Sequence, residues 1–147
     1  MSTYSPRGRQ LIDWGAALQA GLAAGAVFLL LNLFLTQVFS PGFSPSMMVR
    51  YFASIVLGDG ILPATDNPIT WRAYLAMGLL HFALAIGFAC IVAFIVHRWG
   101  LVLSVLVGAG LGLCLYAINI YSLTLVVPHF FGLQSPFFLA THVIFGA

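Results

Sequence analysis

Apolar residues fill most of the chain in four long stretches, which short segments rich in charged, aromatic or helix-breaking residues separate. Three of the stretches, residues 14–39, 71–96 and 101–127, are each long enough for a helix that crosses the roughly 30 Å hydrocarbon core of a bilayer. The fourth, residues 136–147, has about a dozen residues, fewer than the roughly 20 that a span needs. We interpret it as a fourth membrane helix because it is apolar and uncharged. We expect it to be either shortened by truncation of the chain or covered by a partner.

The first connection, residues 40–70, contains a helical pattern of its own. Ser44 followed by Pro45 is typical of a helix N-cap and its first position. Apolar residues then follow at helical spacing as far as residue 58, a run too short to cross a membrane. The pattern predicts an interfacial helix at about 45–58 that lies on the membrane surface or binds a partner. The residues expected on its contact face are Met47, Tyr51, Phe52 and Ile55.

The chain also repeats itself weakly, with a constant offset of 87 residues. Five positions are identical in a window of 23, and they include two of the three asparagines and a Gly-xxx-Gly pair. This pattern predicts the duplication of a two-helix unit inside one membrane domain, residues 1–147, with repeat one at about 12–98 and repeat two at about 99–147. The matching pairs are Gly21 and Gly108, Gly25 and Gly112, Asn32 and Asn119, Pro41 and Pro128, and Phe43 and Phe130.

These elements predict an all-α fold. We expect a polytopic membrane four-helix bundle, built from two duplicated helical hairpins, plus the interfacial helix. In a rival register, Ser44-Pro45 corresponds to Ser135-Pro136, and the last helix is then interfacial as well.

The repeated glycines and asparagines are candidate packing residues. A Gly-xxx-Gly pair lets two helix backbones approach closely. Asparagine inside lipid is costly unless its side chain finds a partner, and a duplication places such residues around a pseudo-symmetry axis. We therefore expect helix packing at Gly21, Gly25, Asn32, Gly108, Gly112 and Asn119.

Composition limits the class of protein. Of the 147 residues, 62% are hydrophobic and 5% are charged, whereas a soluble domain has about 25% charged residues. The chain therefore belongs in a lipid bilayer. It has no lysine and no basic cluster, so we exclude nucleic-acid binding.

The few charged residues predict an orientation in a bacterial inner (cytoplasmic) membrane. Cytoplasmic segments of membrane proteins carry an excess of lysine and arginine. The amino-terminal tail concentrates two arginines, so we place it in the cytoplasm. One side then holds Arg7, Arg9 and Arg98, and the other holds Arg50, Arg72, Asp59 and Asp66.

The sequence offers little support for an enzyme. No acidic residue lies within a predicted span, and we find no catalytic triad, metal-binding or phosphate-binding motif. Cys90 and Cys114 lie in apolar stretches without the spacing of a metal or redox site, so we interpret them as packing residues. We expect no metal site and no resident cofactor.

His81 and His142 lie inside the second helix of each predicted repeat. Counted from the starts of their helices, the two imidazoles differ in depth by roughly 6 Å. One hypothesis makes them the axial ligands of a haem b at the pseudo-two-fold axis. The other, which we favour, makes each histidine a hydrogen-bonding partner of Asn32 or Asn119 within its own hairpin.

With four hydrophobic segments, a mid-span asparagine and a histidine-bearing second helix, the chain resembles small four-helix bacterial inner-membrane proteins. The resemblance implies a multi-pass fold and no particular activity. Because the chain has almost no soluble part and no catalytic set, we expect a non-catalytic accessory subunit of a larger membrane complex, such as a respiratory or photosynthetic assembly. Its expected partners are the lipid bilayer and other membrane subunits. The alternatives are a haem-b membrane electron carrier and a small-solute transporter or channel.

Overall fold

A computed structural model of the protein describes residues 11–39, 44–62 and 68–147, and all regular secondary structure in those ranges is helical. Shorter π-helical and 3₁₀ segments extend or join the α-helices, at Asp59–Ile61, Ile118–Ser122, Leu123–Leu125 and Pro128–Leu133. The α-helices are α1 (Trp14–Phe39), α2 (Pro45–Leu57), α3 (Trp71–Val96), α4 (Leu101–Ala117) and α5 (Pro136–Gly146).

Three helical segments have the length and apolar character of membrane spans. The mean hydropathy is 2.0 for α1, 2.7 for α3 and 2.4 for the continuous segment Leu101–Leu125. At about 1.5 Å per residue each of them exceeds the roughly 30 Å hydrocarbon core. The prediction of a helical membrane protein is therefore confirmed. Helix α5, with 11 residues, reaches only about half that depth.

Helices α1 and α3 form an antiparallel pair in which the glycines of α1 face α3. A Cβ atom placed on Gly21 would lie 2.7 Å from the Ile86 Cα, and one on Gly25 would lie 2.8 Å from the Ala85 Cβ. Any larger residue at either position would therefore push the two helices apart. The missing side chains let the backbones pack at close range, as the Gly-xxx-Gly spacing predicts.

Helices α4 and α5 form the second antiparallel pair and approach each other even more closely. A Cβ atom on Gly108 would overlap the carbonyl oxygen of Gly146, and one on Gly112 would overlap the carbonyl oxygen of His142. A side chain therefore does not fit at Gly108 or Gly112 in α4, or at Gly146 in α5, which a Cβ atom would bring onto the Gly108 carbonyl oxygen. The two Gly-xxx-Gly pairs each lie against the second helix of their own hairpin.

The two pairs are joined through α1 and α5, whereas α3 and α4 make few contacts with each other. The order in space is therefore α3, α1, α5, α4, and it leaves a gap between α3 and α4. Ring contacts join α1 to α5 along the length of α5. Phe28 contacts Phe145 with ring centroids 5.0 Å apart, and Phe39 contacts Phe137 with centroids 4.4 Å apart.

Both predicted Ser-Pro caps are present. The Ser44 Oγ accepts a hydrogen bond from the Met47 backbone N–H at 3.3 Å, and the Ser135 Oγ accepts one from that of Phe138 at 3.1 Å. Each hydroxyl satisfies an amide that has no partner within its own helix, so α2 and α5 begin where the sequence predicts.

Helix α2 packs against the first half of α3, where Val49 and Ala53 contact Ala73 and Met77 in a small apolar core. The structure places the four residues of the expected contact face in different surroundings. Two of the residues expected to point outward, Tyr51 and Phe52, are half-buried against segment 128–133, with Phe52 on Phe130 at 5.2 Å between centroids. The reason is that this segment folds back over α2, which the sequence pattern of α2 alone does not show. Met47 is half-buried and Ile55 is exposed.

The third span differs from the expected uninterrupted helix over 101–127. It is α-helical to Ala117, passes through the π-helical turn at Ile118–Ser122, and ends in the 3₁₀ turn at Leu123–Leu125. At the end of α4 the Ile118 N–H is shared between the carbonyls of Cys114 and Leu115, and the π-helical turn follows directly. Asn119 therefore lies in the π-helical turn, whereas its counterpart Asn32 lies in regular α-helix.

Several sequence positions lie outside the described residues. They are Pro41 and Phe43 of the repeat, and Arg7, Arg9 and Asp66 of the predicted charge distribution.

Candidate functional site

The polar side chains within the helices meet in the middle of the molecule. His81 comes from α3, Asn32 from α1, Asn119 from the π-helical turn, and Thr141 and His142 from α5. All of these except Asn119 are buried, and Thr141 and His142 are almost completely enclosed. Because unpaired polar groups are costly inside a membrane, the hydrogen bonds of this group show what each side chain does.

Both ring nitrogens of His142 are engaged. The Nδ1 lies 2.7 Å from the Phe138 carbonyl oxygen, which can only accept, so the Nδ1–H donates. The Nε2 lies 3.1 Å from the Asn119 Nδ2, which donates to it. These two partners define a neutral imidazole with its proton on Nδ1, and they connect α5 to the π-helical turn of the preceding span.

His81 uses one nitrogen and has a different partner from the one expected. Its Nε2–H donates to the carbonyl oxygen of Gly25 at 2.8 Å, so the ring bridges α3 to the backbone of α1. The expected bond to Asn32 is not made. The reason is that Gly25 has no side chain, which leaves its carbonyl accessible to a ring from the neighbouring helix. Within the described ranges, the His81 Nδ1 has no hydrogen-bond partner.

Asn32 connects the two hairpins. Its Nδ2 donates to the Phe28 carbonyl one turn earlier at 2.8 Å, and its Oδ1 lies 3.0 Å from the Thr141 hydroxyl. That hydroxyl also lies 2.9 Å from the Phe138 carbonyl, so its proton is shared between two acceptors. The two asparagines that the sequence pattern pairs thus have different partners: Asn119 bonds α5, which follows it in the chain, and Asn32 in α1 bonds Thr141 of α5.

Phe28 contacts both histidines. Its ring stacks on that of His81, with centroids 5.9 Å apart and planes 7° from parallel, and meets His142 edge-on at 4.8 Å. The rings of His81 and His142 therefore pack against the same phenylalanine. A sequence pattern does not single out Phe28 among 13 phenylalanines, and nothing in the sequence pointed to Thr141.

A cavity of about 300 Å³ occupies the gap between α3 and α4. Its inner wall contains the three polar residues His81, Asn119 and His142, and the rest is apolar. Aromatic rings make up much of that wall, namely Phe28, Phe52, Phe88, Phe130, Phe138 and Phe145.

Two smaller cavities lie beside it. One of about 80 Å³ is lined in part by Thr36, Gln134, Ser135 and Asn32, and one of about 10 Å³ lies between Asn32 and His81. Together they form a row from the segment before α5 to the inner wall of the large cavity.

A further histidine has a structural role at the end of the bundle. His129 lies 3.0 Å from the Ser54 Oγ, which itself donates to the Tyr51 carbonyl, so the His129 Nε2–H is the donor. This bond fastens segment 128–133 onto α2. Within the described part of the chain no carboxylate bonds His129, so the pair lacks the third member of a catalytic triad.

Among the described residues, no group of three or more histidine, cysteine or acidic side chains could hold a metal ion. Cys90 and Cys114 are both free thiols. The contacts that the five polar residues make are hydrogen bonds and contacts with aromatic rings. No protein-family model, curated protein or solved structure matches this chain.

Proposed function

We propose that this protein is a non-catalytic integral membrane subunit that stabilises a larger membrane complex. The observation that carries the proposal is that the polar side chains inside the bundle hydrogen-bond one another. His142 bonds Asn119, and Thr141 bonds Asn32, and each bond joins two helical segments of the same chain. Such bonds hold helices together in lipid and contribute about 0.6 kcal/mol each on average. A catalytic site needs polar atoms that point at a substrate, and these point at one another.

The packing supports a four-helix bundle formed from two duplicated hairpins. In the first hairpin, Gly21 and Gly25 lie against α3; in the second, Gly108 and Gly112 lie against α5. The same glycine spacing thus serves the same contact in both, which is the arrangement that a duplicated unit would produce. Helix α5 counts as the fourth member because it packs against both α4 and α1, although it is shorter than a full span.

The outer side of α2 is the best candidate surface for another subunit. Val56 and Leu57 are exposed there, next to the ends of the spans, whereas Ile55 is exposed at the edge of the cavity between α3 and α4. An apolar strip at this level suits the headgroup region or a partner helix. Val56, at 58% exposure, replaces Tyr51 and Phe52 as the residue to test, because those two contact their own chain.

The proposed location is a bacterial inner membrane with the amino terminus in the cytoplasm. Arg98 lies at one end of α3, and Arg50, Asp59 and Arg72 lie at the other end or in the connection that precedes it. Under the positive-inside rule, the arginines of the amino-terminal tail then decide the proposed orientation. A respiratory or photosynthetic assembly is the proposed host, and this choice rests only on the class of protein, a small apolar chain without a catalytic motif.

The hydrogen bonds favour this role over that of a haem-b electron carrier. Haem iron would need a nitrogen from each of His81 and His142. His142 uses both nitrogens within the protein, so ligation would break its bond to either Asn119 or Phe138. Both rings also pack against Phe28 within the protein.

The row of cavities supports a small-solute channel as the second candidate. About 80 Å³ is enough for several water molecules and about 10 Å³ for roughly one. Water could thus reach His81 from the segment before α5. Flux measured in proteoliposomes tests this candidate: Thr36→Leu with Ser135→Ala should reduce any flux, and no flux in the wild type would remove the candidate.

The test of the accessory role is release from the complex. After mild detergent extraction, the wild-type protein should migrate in native electrophoresis as part of a larger assembly of defined composition. Val56→Asp with Leu57→Asp should release it, whereas Gly60→Asp should not, because Gly60 is exposed beyond the apolar strip. A wild-type protein that migrates alone under conditions that preserve other membrane complexes would contradict the proposal.

A further inference from the structure

We infer that the cavity between α3 and α4 is a binding site for a lipid-soluble hydroquinone, that is, a single flat ring with hydroxyl groups and an apolar tail. The inference goes beyond the accessory role and does not depend on it, because binding is measured on the isolated protein.

The size and surface of the cavity suit a small aromatic ligand. Its volume of about 300 Å³ is at the lower end of the range for ligand pockets, and such pockets combine a mainly apolar, aromatic wall with a few placed polar groups. Phe28, Phe88 and Phe145 line the cavity as one aromatic cluster, in which Phe145 contacts both of the others, and an aromatic ligand that joins such a cluster is stabilised beyond the area that it buries.

The cavity opens toward the bilayer. Leu84 and Ile91 line it from α3 and are 58% and 55% exposed on the lipid-facing surface. His81 lies ten residues into α3, about 15 Å along the helix, which places the inner wall near the middle of the membrane. A ligand at this depth arrives through the lipid, so it is apolar over most of its length.

The polar atoms on the inner wall select the headgroup. Since the Nε2–H of His81 donates to Gly25, its Nδ1 is an acceptor, and it has no partner among the described residues. Asn119 donates to His142 through Nδ2, and its Oδ1 is a second acceptor for which the described structure gives no donor. Unpaired acceptors in hydrocarbon are costly. A hydroxyl group supplies the missing donor, whereas a quinone carbonyl or an acyl chain does not.

The backbone around Asn119 points to the same site. Asn119 lies in a π-helical turn, and such turns occur frequently at functional sites. Its counterpart Asn32 lies in regular α-helix and has partners for both polar atoms of its amide, Phe28 and Thr141. The distorted turn thus distinguishes the asparagine that lines the cavity from the one that only joins helices.

The experiment titrates purified protein in nanodiscs with decylhydroquinone, and in parallel with its dimethyl ether and with decylbenzene. A ligand that binds only the folded state raises the unfolding temperature in a concentration-dependent way. Native mass spectrometry gives the stoichiometry. We expect one hydroquinone per chain, with the dimethyl ether about tenfold weaker because it has lost its hydrogen-bond donors.

Gly87→Phe is the decisive variant, and Gly78→Phe is its matched control. Both glycines lie in α3, and an added Cβ meets no atom within 4 Å at either one, but only Gly87 lines the cavity. Gly87→Phe should therefore fill the site and weaken hydroquinone binding about tenfold or more, with its unfolding temperature without ligand close to that of Gly78→Phe. Leu115→Phe fills the cavity from the opposite wall and tests the site again if Gly87→Phe does not fold.

The outcomes separate the occupants. Loss of binding in Gly87→Phe with retention in Gly78→Phe supports the site. Equal binding of hydroquinone, dimethyl ether and decylbenzene would mean that the cavity binds any apolar ring with an alkyl chain, and it would overturn the inference. Absence of saturable binding to the wild type, or equal binding to both variants, would overturn it as well.

Discussion

Asn119 donates a hydrogen bond to the Nε2 of His142 across 3.1 Å. The His142 Nδ1–H donates to the Phe138 carbonyl, so the two bonds together fix the neutral tautomer of the ring that carries its proton on Nδ1. The contact joins the π-helical turn after α4 to α5, and both residues line the cavity between α3 and α4. It therefore serves both the stability of the second hairpin and the shape of the proposed binding site.

The first prediction concerns the energy of that contact. A double-mutant cycle with Asn119→Leu and His142→Phe should give a coupling free energy of about 0.6 kcal/mol, the average for hydrogen bonds between membrane helices. Unfolding by detergent denaturation in bicelles measures it. Ser54→Ala is the control, because Ser54 bonds Tyr51 and His129 at the end of the bundle rather than the partners of His142, so its effect should add to that of His142→Phe. Coupling near zero for Asn119 would show that the bond does not contribute to stability.

The second prediction concerns the glycines of the second hairpin. Gly112→Leu should destabilise the protein by about 1–3 kcal/mol, because a side chain there overlaps the carbonyl of His142 and overpacks the contact. Gly110→Leu, two residues away on the same helix, should be nearly neutral, since an added Cβ meets no atom within 4 Å there. Similar unfolding free energies for the two variants would contradict the close approach of α4 and α5.

A corresponding variant and its control test the first hairpin. Gly25→Leu should also cost about 1–3 kcal/mol, because its Cβ would lie 2.8 Å from the Ala85 Cβ. Gly78→Leu, in the facing helix, has open space around its Cβ and is the control. A large effect in one hairpin and none in the other would weaken the proposed duplication.

The sequence predicted the helices and their boundaries well, because the signals for them are local. Apolar length marks the spans, and Ser-Pro pairs mark the starts of α2 and α5. The spacing of glycines also indicated which faces pack. These features depend on residues close together in the chain, so they can be derived from one sequence.

The site was less predictable, because its partners come from distant segments. The Thr141 hydroxyl meets Asn32 across 109 residues, and the His81 ring meets a backbone carbonyl 56 residues away, which no side-chain pattern encodes. The folding of segment 128–133 over Tyr51 and Phe52 is likewise a tertiary contact. The π-helical turn at Asn119 contains no proline or glycine, so the local sequence does not predict it.

The third prediction concerns topology. In a background without Cys90 and Cys114, a cysteine at Asp59 should react with an impermeant thiol reagent in intact cells, because the α2 side is proposed to face outward. A cysteine at Trp99, in the turn at the opposite ends of the spans, should react only after the cells are opened. Labelling of Trp99→Cys and protection of Asp59→Cys in intact cells would invert the orientation.

The last prediction weighs His81 and His142 as helix-joining residues against haem ligands. His81→Gln should be mild, since an amide N–H can replace the imidazole N–H that donates to the Gly25 carbonyl, and most such contacts contribute only about 0.6 kcal/mol. His81→Leu cannot donate and should cost more than His81→Gln, which separates the hydrogen bond from the volume of the ring. A reduced-minus-oxidised absorbance spectrum of the purified wild-type protein should then show no b-type band. If a b-type band is present and disappears in both His81→Gln and His142→Gln, the two histidines act as a pair of ligands, and the protein is an electron carrier.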